Sequence, residues 1–376
     1  MTNQPNLVFI MSDDHAAHAI SAYGSRINQT PHIDRLANNG MRFDAAFCTN
    51  SICTPSRAAI LTGTYNHVNG ATTLDTPLDN SQWTFPQSLQ DAGYVTGIIG
   101  KWHLGHGPGA DPVGFDFWRI LPGQGHYDNP VMLEADGKVV ERAGYVTDLI
   151  TDDCIDFIEQ HKGRPFALFC HHKASHRTWN PAPRHFTLFD DVDIPQPDTF
   201  WDDLDGRAEA IKAVKMNMMD LDPITDLKAL VPRGLSSEEE IEWRYQRYIK
   251  YYLRVVTAMD EGIGRLLDKL DEEGLTENTI VVYTSDQGFF LGDHGWFDKR
   301  LMYEESLGMP LLIQFPAQVE AGTTCEEIVV NVDFGPTLLD LMGVEIPDHV
   351  QGRSFAPLLA GERPADWPQS MYYRYW

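Results

Sequence analysis

Residues 6–15 read NLVFIMSDDH, a short and continuously apolar run that ends in a cluster of polar side chains. The same arrangement returns at residues 166–173, where FALFC precedes HHK, and at residues 279–288, where TIVVYT precedes SDQG. Such runs are typical of strands buried on both faces, as in a parallel sheet covered by helices. Because parallel strands end at one edge of a sheet, the three segments predict an α/β fold with a ligand site at that edge.

Other segments extend this prediction to a large, mixed but mostly parallel sheet sandwiched by helices. Apolar runs bounded by glycine or proline predict further strands at residues 95–99 and 310–315. Shorter helices are predicted at residues 31–39 and 336–342, each with a proline near its first turn and a glycine after its end.

The longest helix is predicted over residues 237–270, where apolar side chains recur at spacings of three and four. Ser237, with Glu240 three residues later, fits a capping box at the start. Gly274 lies where a C-terminal cap belongs.

The composition restricts the class of protein. The chain has 376 residues, with 29 Lys and Arg against 54 Asp and Glu, so its formal net charge is −25. A surface this acidic repels phosphate backbones and anionic lipid headgroups, and we find no basic run; we expect neither nucleic acid nor a membrane as partner. No apolar stretch approaches the roughly 18 to 20 residues of a membrane span.

The first residues bear on the compartment. They contain neither a basic start nor an apolar stretch with a cleavage site, the marks of a secretory signal. We therefore expect a cytoplasmic protein, or a periplasmic or secreted one whose signal has been removed. The five cysteines are sparse and odd in number, which argues against a disulfide scaffold and leaves one cysteine to be explained.

Two segments are predicted to lie outside the regular framework. Residues 190–234 are irregular and acidic with scattered prolines, which fits either a surface excursion near the mouth of the site or a mobile loop. Residues 371–376, MYYRYW, predict an aromatic edge strand. An apolar edge needs a partner, so we expect the natural chain to continue beyond it.

One cysteine belongs to a segment with a helical pattern, CTPSRAAILTG at residues 53–63. A proline near the start and a glycine at the end predict a short helix whose first turn holds Cys53. The free N–H groups of a helix N-terminus would lower the pKa of a thiol or bind an anion. Arg57 follows one turn later on the same face. Judged alone, the segment also fits a buried, inert cysteine.

The same segment resembles a signature of a known enzyme family. CTPSRAAILTG resembles the sulfatase signature C-x-P-S-R-x-x-x-L-T-G, and GYVTGIIGKWH, at residues 93–103, resembles the second signature, G-Y-x-T-x-x-x-G-K-W-H. NLVFIMSDDH, TPHIDRLANNGMRF at residues 30–43 and SDQG match in the family's order, so the resemblance extends from residue 6 to residue 354. The chain thus resembles the formylglycine-dependent sulfatases of the alkaline phosphatase-like superfamily.

The resemblance implies a domain organisation and a nucleophile. It implies a catalytic α/β domain over residues 1–355 and, over residues 356–376, the start of a small C-terminal subdomain that is incomplete. It also implies that a formylglycine-generating enzyme oxidises Cys53 to formylglycine. One hydroxyl of the hydrated aldehyde then attacks sulfur and expels the alcohol, and loss of the proton from the second hydroxyl releases sulfate.

Acidic side chains after two predicted strands suggest a metal site. Asp13 and Asp14 follow the first strand, and Asp286 and Gln287 follow the strand that begins at Thr279. Oxygen ligands suit Ca²⁺, or Mg²⁺, better than Zn²⁺, although an adjacent pair of aspartates alone also fits a solvated loop. The resemblance implies that these four residues bind Ca²⁺ together with the modified Cys53.

Cations are needed beside a sulfate ester, whose leaving oxygen gains negative charge in the transition state. The candidates are Arg57, Lys101, His103, His176 and Lys299. The resemblance implies that Arg57 and Lys101 position the nucleophile and the sulfate, and that His103 accepts the proton of the second hydroxyl. It implies that His176 and Lys299 hold the sulfate and protonate the departing alcohol.

Three segments resemble the glycan sulfatases, including those that cleave 6-sulfate from N-acetylglucosamine. They are GHYDNP at residues 125–130, HHKASHRTWNPAP at residues 171–183 and SDQGFFLGDHGWFDKR at residues 285–300. We expect them to shape the pocket for the leaving group, with Asp293 and His294 contacting a sugar hydroxyl. The expected substrate is a sulfate ester of a small molecule or glycan.

Two other functions remain open from the sequence. Relatives that share the C-x-P-x-R pattern hydrolyse phosphonate or phosphate esters, so the reaction could differ on the same scaffold. If Cys53 stays unmodified, the chain would instead be a glycan-binding protein without turnover.

Overall fold

The computed structural model describes residues 4–376. Within these residues the strands are β1 (Asn6–Ser12), β2 (Met41–Phe43), β3 (Ala46–Phe47), β4 (Val95–Lys101), β5 (Phe117–Leu121), β6 (Val131–Glu134), β7 (Val139–Glu141), β8 (Phe166–His171), β9 (Thr279–Ser285), β10 (Phe290–Leu291), β11 (Phe297–Asp298), β12 (Leu311–Gln314), β13 (Thr323–Cys325) and β14 (Val329–Val330). Ten of them form one sheet in the order β13-β2-β12-β9-β1-β8-β4-β5-β6-β7. The other four form the pairs β10 with β11 and β3 with β14.

The centre of the large sheet is parallel. Leu7 of β1 pairs with Ala167 of β8 on one side and with Ile280 of β9 on the other, and β4 continues the parallel order between β8 and β5. β12 runs antiparallel to β9 and to β2, as do β6 and β7 to their neighbours. The predicted mixed, mostly parallel sheet is confirmed.

Helices cover both faces of this sheet. They are α1 (Pro31–Asn38), α2 (Cys53–Thr62), α3 (Asn66–Asn69), α4 (Phe85–Asp91), α5 (Val146–His161), α6 (Glu209–Lys212), α7 (Ser237–Glu272), α8 (Glu304–Leu307), α9 (Phe334–Leu341) and α10 (Ala356–Leu359). Side chains of β1 alternate between two apolar cores: Val8 and Ile10 pack with α1, α5 and α7, while Leu7 and Phe9 pack with α2, α4 and α9. The buried alternation explains why β1 is apolar at every position from Leu7 to Met11.

Apart from the edge strand expected at residues 371–376, the predicted strands and helices are present, with small shifts at their ends. The long helix α7 spans Ser237–Glu272, and its cap is Ser236, whose hydroxyl accepts from the backbone N–H of Glu239. The predicted cap at Ser237 was therefore one residue late. No helix among the described residues is long and apolar enough to cross a membrane.

The expected edge strand at residues 371–376 is wrong, because this segment is irregular in the structure. It is held by individual contacts instead: the Tyr373 hydroxyl donates to the carbonyl of Arg300 at 2.8 Å and lies 2.7 Å from the hydroxyl of Ser51. Residues 356–376 also pack on the main core through Leu358 and Trp367. The division of the chain at residue 355 stays a prediction.

The acidic segment at residues 190–234 is mostly irregular, as predicted, with α6 as its one α-helix among the described residues. An ion pair and a hydrogen bond connect this segment to residues that follow the carboxyl ends of the sheet strands. Asp226 forms an ion pair with Arg177, and Asp202 accepts from His294 Nδ1 at 2.7 Å. These ties favour the excursion at the site mouth over the alternative of a mobile loop.

Candidate active site

The fold brings Asp13 and Asp14 together with Asp286 and Gln287 at the edge of the sheet where β1 and β9 end. Ser12 of β1 pairs with Ser285 of β9, so the residues that follow emerge side by side. The backbone N–H of Asp14 donates to Asp286 Oδ1 at 3.2 Å, and the Gln287 amide donates to Asp14 Oδ1. All four side chains are buried.

This cluster fits a divalent cation. One oxygen from each of Asp13, Asp14 and Asp286 lies within 4.8 Å of the others. Asp13 Oδ1 and Gln287 Oε1 are buried and accept no hydrogen bond from any residue of the described range 4–376, so they are free to act as ligands. Hard oxygen donors of this kind favour Ca²⁺ or Mg²⁺.

The pKa values of the carboxyl groups reflect their crowding. Burial and the charge of Asp13 raise the pKa of Asp286 to about 7. For Asp14, burial outweighs the attraction of Lys299 and raises the pKa as well. For Asp13, burial acts in the same direction, but Lys101 and the other nearby cations outweigh it and hold the pKa well below its usual range. A bound cation would relieve this repulsion.

Cys53 lies beside this cluster, as the first residue of α2. Its side chain is buried, and Lys299 Nζ lies 3.6 Å from the sulfur. Burial raises the pKa of the thiol to about 12, although Lys101 and Lys299 oppose it. The expected lowering of this pKa at the helix N-terminus is not found, because burial raises it. The alternative expectation, that the helix N-terminus binds an anion, stays a prediction. An unmodified Cys53 is a protonated thiol and a poor nucleophile.

Three cations neutralise the buried carboxylates. Arg57 Nε donates to Asp286 Oδ2 at 3.0 Å, and its Nη1 donates to the carbonyl of Lys101 at 3.0 Å. Lys101 forms an ion pair with Asp13, and Lys299 forms one with Asp14. The four predicted groups Cys53, Arg57, Lys101 and Lys299 therefore lie in one network.

Both predicted histidines border the network. Burial, followed by the charge of Lys101, lowers the pKa of His103 to about 2, so this imidazole is neutral. His176 Nδ1 donates to the carbonyl of Arg177 across 2.7 Å, and its Nε2 lies 3.8 Å from Asp14 Oδ2. The bond at Nδ1 fixes the tautomer of His176 and directs Nε2 towards the cluster.

Asp293 and His294 occupy a different position. Asp293 Oδ2 lies 3.4 Å from His18 Nε2, and His294 Nε2 lies 3.8 Å from Glu305 Oε1. Among the described residues, neither forms a hydrogen bond or an ion pair with the cluster around Cys53. Asp293 lines a separate cavity of about 380 Å³ with His18 and Pro195. Their predicted contact with a sugar stays a prediction.

Three residues near the cluster were not predicted individually. Gln124 Oε1 accepts from Lys101 Nζ at 2.5 Å, and the Tyr127 hydroxyl donates to the carbonyl of His176 at 2.6 Å. Lys173 is buried beside them, and burial lowers its pKa to about 8. For Tyr127 and Lys173 the signal in the sequence was the resemblance of the segments at residues 125–130 and 171–183 to glycan sulfatases, whereas Gln124 lies outside both segments.

Comparison with known proteins identifies the family of this chain. The sequence model of the family described as Sulfatase matches residues 5–344. N-acetylglucosamine-6-O-sulfatase of Bacteroides thetaiotaomicron is 44% identical over 421 aligned residues, which cover 100% of this chain and 75% of that protein. Human N-acetylglucosamine-6-sulfatase is 27% identical over 398 residues, covering 100% of this chain and 68% of that protein.

A solved structure shows the same fold with a ligand. It is described as a complex with its substrate D-glucosamine-2-N,6-O-disulfate, and it matches this chain with a TM-score of 0.93 at 44% identity. The match covers 100% of this chain and 84% of that one. The fold and the buried cluster define a hydrolase of the alkaline phosphatase-like type. Within that type the chain belongs to the sulfatase family, and its reaction is the hydrolysis of sulfuric esters.

Proposed function

We propose that the protein removes sulfate from a sulfated sugar of the glucosamine type, by attack of a formylglycine derived from Cys53 beside a bound Ca²⁺. The identity of 44% to an N-acetylglucosamine-6-O-sulfatase supports the sugar. The position of Cys53 within 3.6 Å of Lys299, at the edge of a carboxylate cluster, supports the nucleophile. In the net reaction, water and the ester give the free alcohol and inorganic sulfate.

The metal would be held by Asp13, Asp14, Asp286 and Gln287, with the modified Cys53 as a further ligand. The unsatisfied oxygens on Asp13 and Gln287 carry this assignment. Bound Ca²⁺ would supply positive charge to the sulfate oxygens. We expect addition of Ca²⁺ to the chelator-treated protein to raise its thermal midpoint, because a ligand that binds only the folded state stabilises it. An unchanged midpoint with both Ca²⁺ and Mg²⁺ would contradict the assignment.

The residues around the metal would perform separate tasks. Arg57 and Lys101 orient the nucleophile and the sulfate through their fixed hydrogen bonds. His103 accepts the proton that must leave position 53 before sulfate is released. Lys299 and His176 border the sulfate, and the alcohol receives its proton from one of them.

The single observation that carries the proposal is the convergence of Cys53, three carboxylates and three cations in one buried cluster. The test is sulfate release from N-acetyl-D-glucosamine 6-sulfate by protein produced with a formylglycine-generating enzyme. Intact mass should show that the Cys53 peptide is lighter than the thiol form by about 18 Da. Cys53→Ala is the matched control and should release no sulfate.

Three results would contradict the proposal. Converted protein that releases no sulfate from any sugar, but cleaves an aryl sulfate, would exclude the sugar. Faster cleavage of aryl phosphonate or phosphate esters than of the sulfate would favour the alternative reaction. A protein that binds the sugar while Cys53 remains a thiol would be the binding protein without turnover.

A further inference from the structure

A cavity of about 570 Å³ opens beside His176. Gln124, Tyr127 and Lys173 are among the side chains that line it. Gln124 contacts Lys101, and His176 lies 3.8 Å from Asp14, so the cavity begins at the centre that cleaves the ester. The part of the substrate beyond the ester bond therefore has room here.

Lys173 is a buried cation in this cavity without an anionic partner. Its side chain is buried, and its Nζ donates to one neutral acceptor, the carbonyl of Arg177, at 3.2 Å. Nζ of Lys173 also lies over the ring of Tyr127, 4.8 Å from its centroid. Among the described residues, no carboxylate oxygen lies within 4.0 Å of Nζ. Burial of an ammonium group without a counter-ion is costly.

The charges of the catalytic cluster balance one another without Lys173. The cluster contains the carboxylates of Asp13, Asp14 and Asp286 and the paired cations of Arg57, Lys101 and Lys299. Their formal charges, −3 and +3, sum to zero before any metal binds. The other cation on this cavity, Arg177, is neutralised by Asp226. Asp128 also lines the cavity, but among the described residues it forms no ion pair with Lys173, so the buried ammonium group lacks a direct anionic partner and faces the space that the substrate enters.

We propose that Lys173 is a specificity-determining residue that binds a second anionic group of the substrate, carried on the sugar in addition to the sulfate that is cleaved. This inference rests on the proposed function. An anionic substituent would supply the missing counter-ion and form a charge-assisted hydrogen bond with Nζ. A neutral substituent would leave the ammonium group without a counter-ion, so the site discriminates between the two.

The test compares two substrates that differ at this substituent. D-glucosamine-2-N,6-O-disulfate carries a second anion where N-acetyl-D-glucosamine 6-sulfate carries a neutral acetamide. For Lys173→Met, we expect kcat/KM on the disulfate to fall by about tenfold or more, and kcat/KM on the N-acetyl sugar by less than about threefold. Lys138→Met is the control, because Lys138 is 60% exposed and pairs with Glu134 at the surface. It should leave the ratio of the two values unchanged.

An equal loss on both substrates, or no loss on either, would overturn the proposal. If Lys173→Met does not fold, as judged by its thermal midpoint, product inhibition of the unaltered enzyme answers the same question. D-glucosamine 2-N-sulfate should then inhibit more strongly than N-acetyl-D-glucosamine, and equal inhibition would overturn the proposal. Failure of the proposed function is a separate result, because converted unaltered enzyme would then release no sulfate from either sugar.

Discussion

At the scale of single residues, the site consists of charges that are buried in pairs. Arg57 is almost inaccessible, at 1% side-chain exposure, and so is its partner Asp286, at 0%. Each removes the cost of burying the other, so loss of one leaves an uncompensated charge in the interior. The stability of the metal-free protein therefore depends on residues to which we also assign a chemical role.

The first prediction follows from this pairing. Arg57→Ala should lower the free energy of unfolding of the chelator-treated protein by about 3 to 5 kcal/mol, since Asp286 is left unpaired. Urea unfolding measures the change. Arg26→Ala is the control: Arg26 and its partner Asp198 are 69% and 92% exposed, and the expected loss is below about 1 kcal/mol. Similar losses for the two variants would contradict the prediction.

The sequence predicted the cluster better than it predicted the state of each side chain. The proximity of Asp13 and Asp286 could be predicted, because each follows the end of a buried strand and local sequence patterns reveal such strands. The pKa of Cys53 and the position of Lys173 depend on packing between segments distant in sequence, and no local pattern reports it. Resemblance supplied the roles of His103 and His176, which spacing alone would not have distinguished among 14 histidines.

At the scale of elements, one helix caps another. Asp260, in the middle of α7, accepts from the backbone N–H of His32 at 3.2 Å and of Ile33 at 2.8 Å, at the start of α1. Thr30, the residue before α1, makes no capping hydrogen bond with its side chain. The sequence predicted both helices but not this contact, because the two partners are more than 220 residues apart.

The second prediction concerns this contact. Asp260→Ala should lower the free energy of unfolding by about 1 to 2 kcal/mol, because two N–H groups of α1 lose their acceptor. Asp268→Ala, which removes an exposed ion pair with Arg35 between the same two helices, should cost less than about 1 kcal/mol. Equal effects in urea unfolding would show that Asp260 acts only as a surface charge.

The third prediction concerns pH. Burial raises the pKa of Asp260 from 3.8 to about 6, although the two N–H groups oppose it. Between these values the folded state holds a proton that the unfolded state has lost, so the contribution of Asp260 to stability falls as pH rises from about 4 to about 6. Asp260→Asn removes this titration. Its stability relative to the unaltered protein should therefore increase over that pH range, and a constant difference would contradict the assignment.

At the scale of the whole molecule, the dominant feature is the net charge of −25 around a site that binds an anion. The overall field opposes the approach of a sulfate ester, while the local cations attract it. The two effects differ in range, because salt screens exposed charges beyond about 10 Å at 0.1 M and affects buried charges much less.

The fourth prediction is the effect of salt on catalysis. Moderate NaCl should raise kcat/KM for an anionic sulfate ester or leave it unchanged, because it screens the repulsive field more than the buried cations. Initial rates at low substrate concentration, measured over a salt series, test this. A steep fall in kcat/KM with salt would show that the local cations dominate at long range.

The burial of α2 has a consequence for the order of events in the cell. Every residue from Cys53 to Thr62 is buried, so a modifying enzyme has no access to the thiol in the native protein. If Cys53 is converted to formylglycine as we propose, the oxidation must precede folding, while the segment is still an extended peptide. Molecules that fold first would remain inactive for as long as they stay folded, and treating them afterwards with the maturation enzyme would not restore them unless they were first unfolded.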